Sequence, residues 1–213
     1  MSYTMQYVTC ASLTSSDFAP SAPKHPNTIT YSSGAVYTGE MVNNLPHGKG
    51  TTLYQNGDVF RGEFSNGFRT RGTILFNDKN IFQGEFVEDQ MSFGTLKLIQ
   101  GHVYVGQFTN GTFNGSGKQK WANGNYYEGE FKNGKRFGHG KMKLTRDGAE
   151  GYYEIYEGAF NDDLYDGKGV LMLENGETYE GDFKQGVRHG NFKITMPNGK
   201  ITQGKYENGK MIE

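Results

Sequence analysis

Hydrophobic and polar residues alternate along most of this chain with a period of two, in runs broken at regular places by glycine and asparagine. In Tyr127-Glu128-Gly129-Glu130-Phe131 both aromatics and the glycine fall on one side and both glutamates on the other. That is the arrangement of a half-buried β-strand. Asn133-Gly134 follows, and both residue types tolerate the positive φ of a tight turn. A second alternating run passes through Gly138, Gly140, Met142 and Leu144 before Asp147-Gly148 turns the chain back. The segment predicts a β-hairpin. The same register opens at Tyr37, Phe60, Phe82, Tyr104, Tyr127, Tyr156 and Tyr179, with a truncated copy from Thr202. Successive openings lie 23, 22, 22, 23, 29, 23 and 23 residues apart. A repeat of this length stacks one supersecondary unit on the next. The chain is therefore predicted to be all-β: an elongated, single-layer antiparallel meander of tandem β-hairpins, with about fifteen strands spanning on the order of 70 Å.

Composition shows how such a sheet holds together. Glycine takes 32 of 213 positions and aromatics make up 14% of the chain, so aliphatic side chains are too few for a thick two-layer core. A glycine beside an aromatic leaves a flat slot that the ring covers, and a ladder of such pairs recovers the burial. Residues 1–27 lack the repeat and are rich in Ser, Thr, Ala and Pro. They read as a polar N-terminal extension, with the repeat array occupying 28–213 and opening on a half-hairpin, Thr28–Ser32 and Ser33-Gly34. The single cysteine, Cys10, excludes an intrachain disulfide. No segment approaches the roughly 20 apolar residues of a membrane-spanning helix, and the N-terminus lacks a secretory pattern. The expectation is a soluble cytoplasmic protein.

The frame Tyr-x-Gly-Glu-Phe-x-x-Gly-x-x-x-Gly-x-Gly resembles the MORN repeat (membrane occupation and recognition nexus). The resemblance covers about residues 37–213. It is strongest in Tyr37–Gly57, Tyr104–Gly124, Tyr127–Gly148, Tyr156–Gly176 and Tyr179–Gly199. Phe60–Asn77 and Phe82–Leu98 have one residue fewer between their strands and keep one glycine, Gly72 or Gly94, where the others have a pair. The resemblance implies a single-sheet scaffold of cytoskeletal, ciliary or membrane-associated assemblies, with self-association through terminal repeats in some members. It implies no reaction.

Charge breaks the monotony. Residues 115–146 carry Lys118, Lys120, Lys132, Lys135, Arg136, Lys141, Lys143 and Arg146 against Glu128 and Glu130, a net of +6. Residues 147–182 carry eleven acids, among them Glu150, Glu154, Glu157, Asp162, Asp163 and Asp166, against Lys168 alone, a net of −10. Residues 183–213 return to a net of +4. Adjoining bands of opposite sign suit the steering of a charged partner or of a second copy. The basic band is also a candidate for anionic lipid, at about 1 kcal/mol per basic residue near the surface, although the acidic band opposes it. The longer step between Tyr127 and Tyr156 inserts six residues, with Tyr152 and Tyr153 in the insertion, a candidate recognition loop. A terminal strand around Gly204 and Tyr206 offers an edge for sheet extension by a second copy or a partner.

Enzyme signals are weak. His47 and His189 share one place in the repeat, which suits a repeated structural role better than a single catalytic one. Gly48-Lys49-Gly50-Thr51 lacks the spacing of a phosphate loop, and Asp162, Asp163 and Asp166 lack that of a calcium loop. Neither a metal nor another cofactor is expected. Nucleic acid is not an expected partner, because stacking platforms need exposed rings and these rings fall at covering positions. The reading is a non-catalytic protein–protein interaction scaffold, a structural subunit of a large cytoskeletal or ciliary assembly. The alternatives are a peripheral membrane adaptor and the regulatory subunit of an enzyme complex.

Overall fold

The computed structural model describes residues 27–145 and 153–212. Among these residues there is no helix, and seventeen strands follow one another. They divide into two compact bodies, residues up to Asn80 and residues from Ile81 onward. The first holds β1 (Thr28–Thr30), β2 (Val36–Val42), β3 (Leu45–Leu53), β4 (Val59–Ser65) and β5 (Phe68–Leu75). The second begins with β6 (Ile81–Val87), β7 (Gln90–Lys97), β8 (Val103–Thr109), β9 (Thr112–Lys120), β10 (Tyr126–Lys132) and β11 (Lys135–Thr145). It continues through β12 (Tyr153–Asn161), β13 (Leu164–Leu173), β14 (Thr178–Lys184), β15 (Val187–Thr195), β16 (Ile201–Glu207) and β17 (Lys210–Met211). Within each body every strand pairs antiparallel with its neighbour in sequence. Each body is an open antiparallel meander of hairpins, the class the alternation predicts.

One face of each body carries the aromatic ladder. Tyr37 and Phe60 in the first body are fully buried, as are Phe82, Tyr127 and Tyr156 in the second. Each ring lies over two glycines that oppose one another across a hairpin. Gly129 pairs with Gly140, and a Cβ on Gly140 would stand 2.5 Å from the Tyr127 ring. The ring reaches the backbone only because no side chain is there. It then meets the second aromatic of its own repeat edge-on, Phe131 at 5.1 Å, and that of the following repeat, Phe160 at 5.0 Å. Tyr156 repeats the pattern with Phe160 and Phe183. Such pairs add about 0.5–1.5 kcal/mol each beyond burial, so cohesion passes from repeat to repeat without an aliphatic core.

The polar atoms under the ladder are satisfied locally. The hydroxyls of Tyr104, Tyr127 and Tyr156 donate to the carbonyls of Gln107, Glu130 and Ala159 at 2.8, 2.9 and 2.9 Å. In the two repeats that open with phenylalanine, Thr70 and Ser92 on the opposite strand donate to Glu63 and Glu85 O at 3.2 and 3.1 Å. These are the repeats that are one residue short. What they lack is a bulge glycine such as Gly138, held at φ 64° where the β10–β11 register slips. The Glu130 carboxylate caps that bulge by accepting the His139 N–H at 3.0 Å.

The seventh repeat departs from the frame. Phe192 stands where the other repeats have the second glycine, and it pairs with Gly181. Its ring takes the slot, so a Cβ on Gly181 would lie 2.7 Å from Phe192 rather than from Tyr179. Phe192 continues the ladder to Phe183 and Tyr206 at 5.3 and 5.2 Å. Tyr179, the opening aromatic, is displaced and only half-buried. Its hydroxyl donates to Glu177 at 2.9 Å, and the Arg188 guanidinium lies 4.5 Å from its ring and 4.4 Å from that of Tyr206.

Candidate interaction surface

The face opposite the rings carries the charge, because strand side chains alternate. Register decides which charges meet. Glu128 lies between Lys118 on β9 and Lys141 on β11, and Lys141 in turn opposes Glu157 on β12. The Nζ of Lys118 is 2.8 Å from Glu128, and that of Lys141 is 3.1 Å from Glu157. Burial pushes the Glu128 carboxyl up, but hydrogen bonds from Lys118 and Tyr126, with the charges of Lys118 and Lys141, hold it below its ordinary value.

Two more pairs lie at the hairpin turns. Lys135 is 3.3 Å from Asp162. Arg136 makes a denser clamp: its backbone N–H and Nε both donate to Asp163 Oδ1 at 2.9 and 3.0 Å, and a terminal nitrogen donates to the Asp163 carbonyl at 2.8 Å. The Asp163 N–H returns a bond to Arg136 O at 3.1 Å. The Arg136 guanidinium also lies 5.9 Å from Trp121 and 5.8 Å from Phe160. Bands of opposite sign in sequence are thus laced together in space. Lys118 and Lys141 alternate with acids across the strands, and Lys135 and Arg136 are held by the acidic turn.

The remaining candidates are placed as follows. Lys120 is exposed on β9. Lys132 lies 4.9 Å from the Phe137 ring and Lys143 4.9 Å from the Tyr153 ring. Asp166 accepts the Gln185 N–H at 3.2 Å, and Glu154 is half-buried between Leu144 and Leu173. Gly204 and Tyr206 are buried in β16. Tyr206 pairs with Gly190 on one side and Met211 on the other, so it is not at a free edge. Among the described residues, no strand pairs with Ile201–Gln203 on the side away from β15. Arg146, Glu150 and Tyr152 fall outside the described residues, as does most of the N-terminal extension.

His47 and His189 share an environment, each with Nδ1 buried and without a hydrogen-bond partner among the described residues. His139 is exposed between the bulge glycine and its successor, a different place in the repeat. Among the described residues no three His, Cys, Asp or Glu side chains converge as a metal site, and no helix is long and apolar enough to cross a membrane.

The sequence bands passed over the one basic residue that the second body carries before the 115–146 band, Lys97. It repeats at Lys120 and Lys143 with a 23-residue interval. That periodicity was visible in the chain, but Lys97 lies outside the block of high net charge.

Comparison with known proteins agrees with this frame. The model of the MORN repeat matches residues 37–59, 104–126, 127–145, 156–178 and 179–200, just over half of the chain. The match passes over the two shorter repeats. No curated protein matches the chain. Among solved structures, similarity is found to the TCP domain of SAS-4 (dCPAP) of Drosophila melanogaster in complex with a proline-rich motif of Ana2 (dSTIL). The TM-score is 0.49 and the identity 12%, over 88% of this chain and 95% of that one. The TCP10c domain of Drosophila melanogaster Sas-4 is similar at a TM-score of 0.45 and 11% identity, over 83% of this chain and 96% of that one. Likeness at this level carries no argument about function.

Proposed function

Since this chain belongs to the MORN-repeat family, we propose that it is a non-catalytic protein–protein interaction scaffold, a structural subunit of a large assembly. The observation that carries this reading is the interleaving of charge, across the strands on the face opposite the rings and again at the hairpin turns. Of the seven described basic residues in the 115–146 band, four are engaged by acids: Lys118, Lys135, Arg136 and Lys141. A membrane surface is attracted by the net charge of a broad basic patch. A protein partner instead reads a mosaic of paired charge, and complementarity to it gives specificity. Placing the assembly at the cytoskeleton or cilium rests on the family resemblance alone. Self-association along Ile201–Gln203 belongs to the same proposal, because an open strand edge is a template for pairing.

The test is hydrodynamic. The native protein in cell extract should sediment in an assembly several times heavier than its own 23.8 kDa, and the co-purifying proteins should rebind the purified chain. Sedimentation as a lone chain rejects the scaffold. Light scattering of the purified protein tests the edge: Gln203→Pro should lower the mass of any oligomer, and an unchanged oligomer removes that element. Salt-sensitive binding to phosphatidylserine vesicles, lost on reversing Lys132, Lys135 and Arg136, would turn the reading toward a membrane adaptor. A co-purifying enzyme whose turnover responds to the chain would turn it toward a regulatory subunit.

A further inference from the structure

Lys97, Lys120 and Lys143 occupy one row of the second body, on the face opposite the aromatic ladder. The register Lys97–Val103–Lys120–Tyr126–Lys143–Ile155 runs across six consecutive strands, β7 to β12. A lysine therefore recurs on every second strand, and Val103, Tyr126 and Ile155 fill the places between. Unlike Lys118 and Lys141 in the adjoining row, none of the three lysines has a carboxylate within 4 Å among the described residues. Of the connections beside the row, Leu98–His102 and Trp121–Asn125 contain no acid, whereas the one that follows Lys143 and Thr145 contains Asp147 and Glu150. Tyr126 is held by a 2.6 Å bond from its hydroxyl to Glu128.

Spacing narrows the ligand. Two strand intervals separate neighbouring lysines by about 9.5 Å. A polyproline II chain returns to the same face every third residue, after about 9.3 Å. A β-strand does so after about 6.7 Å and falls out of step. An α-helix needs seven residues, about 10.5 Å, and its width of about 10–12 Å would overhang the adjoining row. That row lies two residues, about 6.7 Å, along the strands and carries Glu128 and Glu157. Its acids also disfavour a planar anionic membrane, which would meet both rows at once. A single extended chain can remain on the lysines, with its intervening residues against Val103 and Tyr126.

We propose that the row Lys97–Lys120–Lys143 docks an acidic segment of a protein partner, bound as a polyproline II chain with a carboxylate at every third residue. The proposal rests on the scaffold reading and names the chemistry of one partner segment. The test uses the full chain and a fluorescein-labelled peptide of five Glu-Pro-Pro triplets, read by fluorescence anisotropy at low salt. The comparison peptide has the same composition, with its glutamates in one block. The spaced peptide should bind several-fold more tightly, with an affinity that falls as salt rises. Lys120→Glu with Lys143→Glu should weaken binding at least about tenfold, while Lys132→Glu with Lys184→Glu, the same change of charge off the row, should alter it less than about twofold.

Equal binding of the two peptides overturns the proposal, as does equal loss in the two double variants. A preference for phosphatidylserine vesicles over the peptide, lost in the row variant, also overturns it. If the reversed pair fails to fold, Lys120→Gln with Lys143→Gln makes the same comparison. An intact native assembly with no peptide binding would remove the lysine row and leave the scaffold. Selective peptide binding by a protein that sediments alone would remove the scaffold and leave the row.

Discussion

At the scale of single residues, the chain is governed by what a glycine makes room for. Gly129 and Gly140 are one opposed pair beneath one ring, and a Cβ on either meets Tyr127 or the facing backbone at 2.5–2.6 Å. Gly140→Ala should therefore destabilise the protein by about 1–3 kcal/mol, the usual cost of forcing an extra carbon into a packed site. A urea titration followed by the single tryptophan checks it; an unchanged midpoint would mean that the ring can yield. The slot was legible in the spacing of aromatics and glycines, because it depends on neighbours within one hairpin. Its failure in the seventh repeat was less legible. Phe192 is visible as a departure from glycine, but that its ring would evict Tyr179 depends on which of two rings reaches the slot, and that is a contest in three dimensions.

At the scale of the element, several hairpins of the second body are tied to the preceding one through their turns. The Gly134 N–H donates to Phe113 O and the Gly186 N–H to Tyr165 O, both at 2.9 Å. Between the fifth and sixth repeats that tie becomes the Arg136–Asp163 clamp, with Asp163 at φ 70° where most turns have glycine. Asp163→Ala removes the acceptor for a backbone and a side-chain donor. Because the carboxylate is partly exposed, the expected cost is about 1 kcal/mol rather than that of a buried pair. Hydrogen exchange should show faster opening at the Arg136 amide, with amides of β14 to β16 unaffected; uniform acceleration would mean that the repeats do not open separately. The sequence placed both residues in candidate bands of opposite charge and left their contact open, since they are 27 residues apart and meet only through the strand register.

At the scale of the whole molecule, the recurring tyrosines make stability sensitive to alkali. Burial, the largest cause, pushes Tyr37 and Tyr165 up to about 12 and moves Tyr104, Tyr127 and Tyr156 up as well. In the unfolded chain these hydroxyls ionise near their ordinary value of about 10. The folded state therefore keeps protons that the unfolded state has lost, and stability falls as pH rises from about 10 to 12 and is unaffected below that range. Tyr127→Phe removes one such group together with its bond to Glu130. The variant should unfold at lower urea than the natural chain at pH 7, by about 1 kcal/mol, and the difference should shrink or reverse toward pH 12. A constant difference across that window would contradict the linkage.

By itself the sequence determined the repeat, the strands, the tight turns and the buried ring over its glycines. All of these arise from alternation and spacing within some twenty residues, where side-chain direction follows directly from position along a strand. Only the tertiary structure decided which charges share a row. Bands of net +6 and −10 in sequence met in Lys135–Asp162, Arg136–Asp163 and Lys141–Glu157 pairs, while Lys97, Lys120 and Lys143 aligned with no acid paired to them among the described residues. Coulombic attraction depends on distance in space, and in a meander that distance is set by cross-strand register rather than by separation along the chain.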